Sequence, residues 1–166
     1  NSFQINEDFI TKLTQEFETI SLSKSYFGEG IILSENNAKG VILKGVDKSE
    51  KKIIEFFKNY ISSGNFKNFD TNKVLIGSEM AFNLNLKIGD TLNLMSSAFV
   101  STPLGSLPKQ EAFKVTGIFN TGFLEFDQNI VFLNIADALS IFDKSEEDVN
   151  IEIYLKDPLE ANKFKN

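Results

Sequence analysis

The 166-residue sequence contains neither cysteine nor histidine. The first absence removes disulfides, thiolate metal sites and thiol nucleophiles. The second removes the commonest general base and the commonest imidazole ligand. Together they exclude Cys/His zinc centres and Ser-His-Asp hydrolysis. Arginine is missing as well: all 17 basic side chains are lysines, so no planar fork is available to grip phosphate or carboxylate bidentately. With 23 acidic residues the net charge is -6, which argues against a nucleic-acid partner, whose phosphates call for basic surface. No apolar run approaches the roughly 18 residues of a membrane span, and no signal peptide opens the chain. It begins at Asn1 rather than Met and stops inside a polar segment, which predicts a piece of a longer protein. The lack of cysteine leaves the compartment open, since a disulfide-free domain can live in an oxidising one.

The residues that are present describe a folded globule. Hydrophobic residues make up 42% and charged residues 24%, a balance that supports a packed core in one domain or two small intimate ones. Phe9, Ile10, Leu13 and Phe17 fall at helical spacing after Asn6-Glu-Asp, predicting an amphipathic helix to Glu18. Leu22 to Leu33 reads as extended, with Gly28 and Gly30 as bends, then Asn36 to Gly40 as a hairpin turn and Val41 to Val46 as the returning strand. Ser49 opens a helix whose stripe is Ile53, Ile54, Phe56, Phe57, Tyr60 and Ile61, with Gly64 as its stop. A polar segment, 65–72, marks a crossing into a second subdomain. Beyond it lie a strand at 74–77, a short helix capped by Ser78, and strands at 92–95, 113–119 and 130–133. Gly122 to Asp127 reads as an irregular connection, Asn134 as the cap of a helix to Phe142, the acidic run 143–148 as linker, and Ile151 to Leu155 as a strand. Asp157-Pro opens a last helix.

One stretch stands apart. Residues 96–109 separate two strands by far more than the two to five residues that usually turn a hairpin. Two of the three prolines, Pro103 and Pro108, lie here with Gly105 between them. Neither proline suits a central sheet position, because each lacks a backbone donor. Phe99, Val100, Leu104 and Leu107 make the stretch apolar as well as stiff. It reads as a loop that has already lost part of the entropy that ordering on a partner costs. The alternative is an ordinary flap folded onto its own domain.

Candidate chemistry is sparse. Gly28-Glu-Gly30 lacks a third glycine and no Gly-Lys-Ser/Thr follows, so it is not a phosphate loop. Asp70-Thr-Asn72 starts like a calcium loop but lacks the glycine and the closing glutamate. Glu125 and Asp127, two residues apart, are the one carboxylate pair to weigh for glycosidase-type chemistry; in a turn, such residues more often satisfy backbone donors.

The blocks Val74-Leu-Ile-Gly-Ser-Glu-Met-Ala, Leu86-Lys-Ile-Gly-Asp90, Thr102-Pro-Leu-Gly-Ser-Leu-Pro108 and Phe113-Lys-Val-Thr-Gly-Ile-Phe119, in this order, resemble the periplasmic domain of LolC/LolE-type permeases. Phe126-Asp127 and Asp157-Pro158 continue the resemblance, which covers residues 74 to 160 well and the first 70 in pattern. These permeases are the membrane subunits of bacterial lipoprotein-releasing ABC transporters. The resemblance implies an α+β, two-lobed fold of the MacB type. Its Porter α/β lobe would comprise residues 1–70 and 147–166, with a mostly-β Sabre lobe, 71–146, inserted and carrying a hook loop at 96–110. It implies a non-catalytic domain with no cofactor in the periplasm, attached to the inner membrane. It also implies partners: a LolA-like lipoprotein carrier, a LolD-like cytoplasmic ATPase, a second permease subunit (LolE-like or a self copy), and lipoprotein cargo. The hook would use Phe99, Val100, Thr102, Pro103, Leu104, Gly105, Leu107 and Pro108; LolE-type subunits generally lack it, so the likeness is to LolC. A polar pad beneath the hook maps onto Asn93, Gln110 and Glu111. Only Gln110 keeps the family's residue type, since arginines are expected at Asn93 and Glu111; Lys109 would supply charge there. The alternatives are a MacB- or FtsX-like domain for efflux or cell-wall regulation, and a carboxylate hydrolase built on Glu125 and Asp127.

Overall fold

The computed structural model describes residues 20–155. The helices expected before Glu18 and after Asp157 lie outside the described residues. Six strands are hydrogen-bonded into a closed ring. The long β1 (Ile20–Ser34) pairs antiparallel with β2 (Asn37–Val46), and β2 runs parallel to β7 (Ile130–Asn134). β7 is antiparallel to β4 (Lys73–Gly77), and β4 is parallel to β6 (Gly105–Phe119). β6 is antiparallel to β5 (Thr91–Thr102), which returns to β1 through Gly30–Leu33. Two strands join from outside the ring: β3 (Ile61–Gly64) on β6, and β8 (Asn150–Leu155) on the first half of β1, where Ile20 faces Leu155 and Ser25 faces Asn150.

Side-chain alternation along the strands builds two cores. Val74 and Ile76 of β4, Val131 and Leu133 of β7, Leu92 and Leu94 of β5, and Phe113 and Val115 of β6 are buried together on one side. That side is covered by α2 (Ser78–Asn83) through Met80 and Ala81 and by α4 (Ile135–Ile141) through Ala138 and Ile141. The residues between them, Leu75 and Phe132, face the opposite way. There they meet Phe57 of α1 (Lys51–Tyr60), with Phe69, Phe119 and Val46 completing a second cluster. This is period-2 patterning read from both faces of one sheet. The second cluster is aromatic: the Phe132 ring lies 5.0 Å from Phe57 and 5.3 Å from Phe119, both edge-on. Edge-to-face pairs of this kind add about 0.5–1.5 kcal/mol each beyond the area they bury.

Several local expectations are corrected. Gly28 and Gly30 are not bends; β1 runs through both. A Cβ on Gly28 would lie 2.7 Å from the Phe142 ring, and one on Gly30 would lie 2.6 Å from Leu43, so the glycines permit close packing. The β1–β2 turn is tighter than expected: Ser34 already faces Asn37, leaving only Glu35 and Asn36 outside the pairing. Gly64 ends β3 rather than a helix, α1 having stopped at Tyr60. Ser78 does not cap its helix but is its first residue, after Gly77, whereas a helix does open just past Ser49, at Lys51; Ser49 itself donates to Asp47, a bond that holds the Asp47 carboxyl below its ordinary range. Asn134 does cap α4, its side chain accepting from the Ala136 amide at 2.9 Å.

Residues 124–129 form a short helix, α3 (Leu124–Asn129), where an irregular connection is expected. The physical cause is Asp127. Its buried carboxylate accepts from the Thr121 amide, the Thr121 hydroxyl and the Gly122 amide at 2.7–3.1 Å, tying the segment before the helix back onto it. Gly77 lets α3 approach: a Cβ there would stand 1.8 Å from the Asp127 carbonyl oxygen.

Candidate functional site

The stretch expected to be a long loop over 96–110 is instead a two-stranded ribbon. Beyond the packed body, β5 and β6 stay paired to their ends: Phe99 faces Pro108, Val100 faces Leu107, Ser101 faces Ser106 and Thr102 faces Gly105. Between Phe99 and Pro108 only Pro103 and Leu104 lie outside the pairing, so the true turn has two residues. Proline at the first turn position has its φ already set. The Thr102 hydroxyl accepts from the Leu104 amide at 3.2 Å and donates to the Gly105 carbonyl at 2.7 Å. Gly105 takes φ +121°, which a β-carbon would resist. Pro108 is tolerated in a strand because the ribbon carries no third strand that needs its missing N–H.

The ribbon leaves its apolar side chains in solvent. Leu104 is 97% exposed, Phe99 63% and Leu107 53%. Val100 is exposed as well, as are Pro103, Gly105 and Pro108, while Thr102 is half-buried by its own turn bonds. Isolated exposed leucines are ordinary, but four large apolar residues within nine positions on a two-sided ribbon are not.

The four pad positions do not share one surface. Met95–Gln110 and Asn93–Ala112 are cross-strand pairs, which puts Asn93 and Gln110 on the outer side of the ribbon's base. Lys109 and Glu111 alternate to the other side, toward α4. There the Lys109 ammonium donates to the Ser140 carbonyl and lies 3.9 Å from Glu111 Oε1, which also accepts from the Ser140 hydroxyl at 3.4 Å. Asp137, one turn earlier on α4, is buried and accepts from the Asn72 amide at 2.7 Å. Burial raises its pKa above the ordinary value and the nearby Glu111 charge adds to this, against the lowering effect of the Asn72 bond.

On the outer side, an open groove of about 800 Å³ starts at the ribbon's base. Ile31, Ile42, Met95 and Pro108 line it, with Glu29 and Asn129 among its polar residues. Sequence reading missed it because its wall is assembled from β1, β2 and β5, whose register no local signal supplies.

The other candidates do not assemble. Asp127 is occupied by Thr121 and Gly122, while Glu125 is exposed, so the two carboxylates do not form a pair facing solvent. Asp70 is ion-paired with Lys48. Among the described residues no group of three His, Cys, Asp or Glu is placed to hold a metal ion, and no helix is long and apolar enough to cross a membrane.

A mixed eight-stranded sheet with helices on both faces is an α+β fold similar to that of periplasmic domains of MacB-like ABC permeases. The extracellular domain of the noncanonical ABC-type transporter YknZ from Gram-positive bacteria superposes with a TM-score of 0.63, covering 98% of this chain and 79% of that one at 12% identity. In sequence the chain is similar to LolC. The lipoprotein-releasing system transmembrane protein LolC of Neisseria meningitidis serogroup B is 22% identical over 135 residues, 80% of this chain and 32% of the relative. LolC of Buchnera aphidicola subsp. Acyrthosiphon pisum is 30% identical over 181 aligned positions, 93% of this chain and 43% of the relative. The chain thus spans a third to two fifths of the length of these relatives. No protein-family model matches it.

Proposed function

We propose that the chain is the periplasmic domain of the membrane subunit of a lipoprotein-releasing ABC transporter, and that its β5–β6 ribbon is a hook that recruits a LolA-like lipoprotein carrier. The supporting observation is the ribbon's exposed apolar tip on a permease-domain fold, in a sequence similar to LolC. In this reading the domain performs no chemistry. A LolD-like cytoplasmic ATPase supplies the energy, and a second permease subunit, LolE-like or a self copy, completes the membrane part. Lipoprotein cargo passes to the carrier from the inner membrane. A Porter-like lobe of 1–70 with 147–166 and a Sabre-like lobe of 71–146 would relay the motion, a division with which the pairing of β8 to β1 is compatible.

A tip this exposed fits a partner with an apolar cleft. At about 25 cal/mol per Å², burying Leu104 and Leu107 would each contribute roughly 1.5–3 kcal/mol before ordering costs. Those costs are reduced because the turn is pre-set by Pro103 and the Thr102 bonds. The test is calorimetric titration of a LolA-type carrier into the chain and into Leu104→Ser/Leu107→Ser and Pro103→Gly variants. The expected result is at least about a tenfold loss of affinity, equivalent to roughly 1.4 kcal/mol, with unchanged circular dichroism. Full affinity in the folded variants would refute the hook.

A further inference from the structure

The ribbon does not leave the body at an arbitrary angle. Met95 faces Gln110 and Phe99 faces Pro108, so three residues of β5, 96–98, stand opposite the single Lys109 of β6. This irregularity is where a paired ribbon can bend, since extra residues on one strand kink it and increase its twist. Both strands contribute a side chain to α4 at this point. Ser96, buried, donates its hydroxyl to the Ile141 carbonyl. The same oxygen accepts from the Ala98 amide at 3.1 Å, satisfying a donor that the irregular pairing leaves out of the ladder. Lys109 donates its ammonium to the neighbouring Ser140 carbonyl. Ser140 and Ile141 end α4, where the last carbonyls of a helix lack intrahelical partners; that of Ser140 accepts from the Asp143 amide at 3.1 Å and has its second lone pair for Lys109. A lysine ammonium is well suited to such carbonyls. Ser140 and Glu111 close the arrangement from the other side: the Ser140 hydroxyl reaches Glu111 Oε1 at 3.4 Å, and Glu111 lies 3.9 Å from Lys109.

We infer that Ser96 and Lys109 form a clamp on the C-terminal end of α4 that fixes the direction in which the ribbon 99–108 projects. They are positioning residues: neither lies at the tip, and both act by holding the bend. α4 itself is anchored in the main core by Ala138 and Ile141, so the clamp links the ribbon's direction to the body rather than to solvent-exposed segments. Lys109 thereby has a role within the chain that differs from a pad contact to a partner. The importance of this direction for carrier capture rests on the hook reading above; the clamp's effect on direction does not.

The chain has no cysteine, so two introduced cysteines carry spin labels without background. Ser106→Cys on the ribbon and Lys58→Cys on the exposed side of α1 report the ribbon's direction by pulsed electron-paramagnetic-resonance distances. The labelled parent is expected to give one narrow distance distribution. Ser96→Ala/Lys109→Met is expected to lose it, while Lys114→Met, an exposed lysine further along β6, keeps it, and all three melt as folded domains. Lys109→Gln, which retains a donor, is expected to recover most of the narrow distribution relative to Lys109→Met. A narrow, unshifted distribution in the folded double variant would overturn the clamp. Should the double variant not fold, Lys109→Met alone decides, by the same criterion. Titrating a LolA-type carrier into the same proteins separates the two readings. A parent that does not bind carrier removes the hook but leaves the distance result standing. Retained binding with an unshifted distance removes the clamp and leaves the hook.

Discussion

Between Thr91 and Ser96, β5 alternates cleanly: Leu92, Leu94 and Ser96 are buried and the residues between them are not. From Phe99 to Thr102 the same strand has no buried residue. β6 shows the same split, with Gly105 to Ala112 open and Phe113 to Gly117 largely buried. Both halves are paired, the ladder being interrupted only between Met95 and Phe99 and then continuing to the turn. The difference lies in what faces them. The inner halves are sandwiched by α4 and by strands β1 and β4, whereas the outer halves have each other alone. A two-stranded ribbon without a third layer is marginal by itself in water. This one persists because its base is built into a ring and clamped to α4, and its tip is closed by Thr102, Pro103 and Gly105. Apolar residues in the inner half therefore carry stability, while those in the outer half are available for a partner.

The contrast is broken most severely by emptying the aromatic core. Phe132→Ala removes a ring in contact with Phe57 and Phe119 and is expected to cost about 3–5 kcal/mol, read from urea unfolding. Leu104→Ser, at the other end of the comparison, is expected to change stability by less than about 0.5 kcal/mol. A tip substitution as costly as the core one would show that the ribbon packs on the body.

A smaller effect is expected at Asp127. Replacing it by Ala leaves the Thr121 and Gly122 amides without their acceptor and should cost about 1–3 kcal/mol, without changing the ribbon's distance distribution. Glycosidase or ATP turnover by the unmodified chain, abolished by this substitution, would restore the hydrolase alternative.

The smallest effect concerns pH. Burial, supported by Glu111, holds the Asp137 pKa above its unfolded value near 3.8. Between the two values the folded state keeps the proton more readily than the unfolded state. Asp137 therefore favours folding most in acid, and that contribution is lost as pH rises from the ordinary Asp range through the raised folded value. Asp137→Asn keeps an acceptor for the Asn72 amide and removes the titration. Its melting temperature should match or exceed the parent's above the folded pKa, with the advantage shrinking in acid. A difference constant across pH would contradict this assignment.

The sequence made the strands at 41–46, 74–77, 113–119 and 130–133 legible because their apolar runs are local. The caps and turns are less legible. Ser49 and Ser78 have the right chemistry for capping, but Ser49 bonds locally to Asp47 and Ser78 lies inside its helix, behind Gly77, and α3 depends on Asp127 reaching back to residues 121 and 122. The ribbon was the instructive case. Its prolines, glycine and exposed apolar residues drew attention to the right stretch, yet the same prolines argued for a loop. The cross-strand partners that keep Pro108 in a ribbon edge are a matter of register, which composition does not encode. Ser96 gave no signal at all, because a buried serine at a bend is recognisable only once α4 is beside it.

The most direct test of the central claim, that the outer half of the strand pair serves a partner while the inner half serves the fold, is calorimetric titration of a LolA-type carrier into the parent chain and into Leu104→Ser/Leu107→Ser at matched thermal stability. The account predicts saturable binding to the parent and at least about a tenfold weaker association with the variant. Equal affinity for both, or no binding to the folded parent, would contradict it.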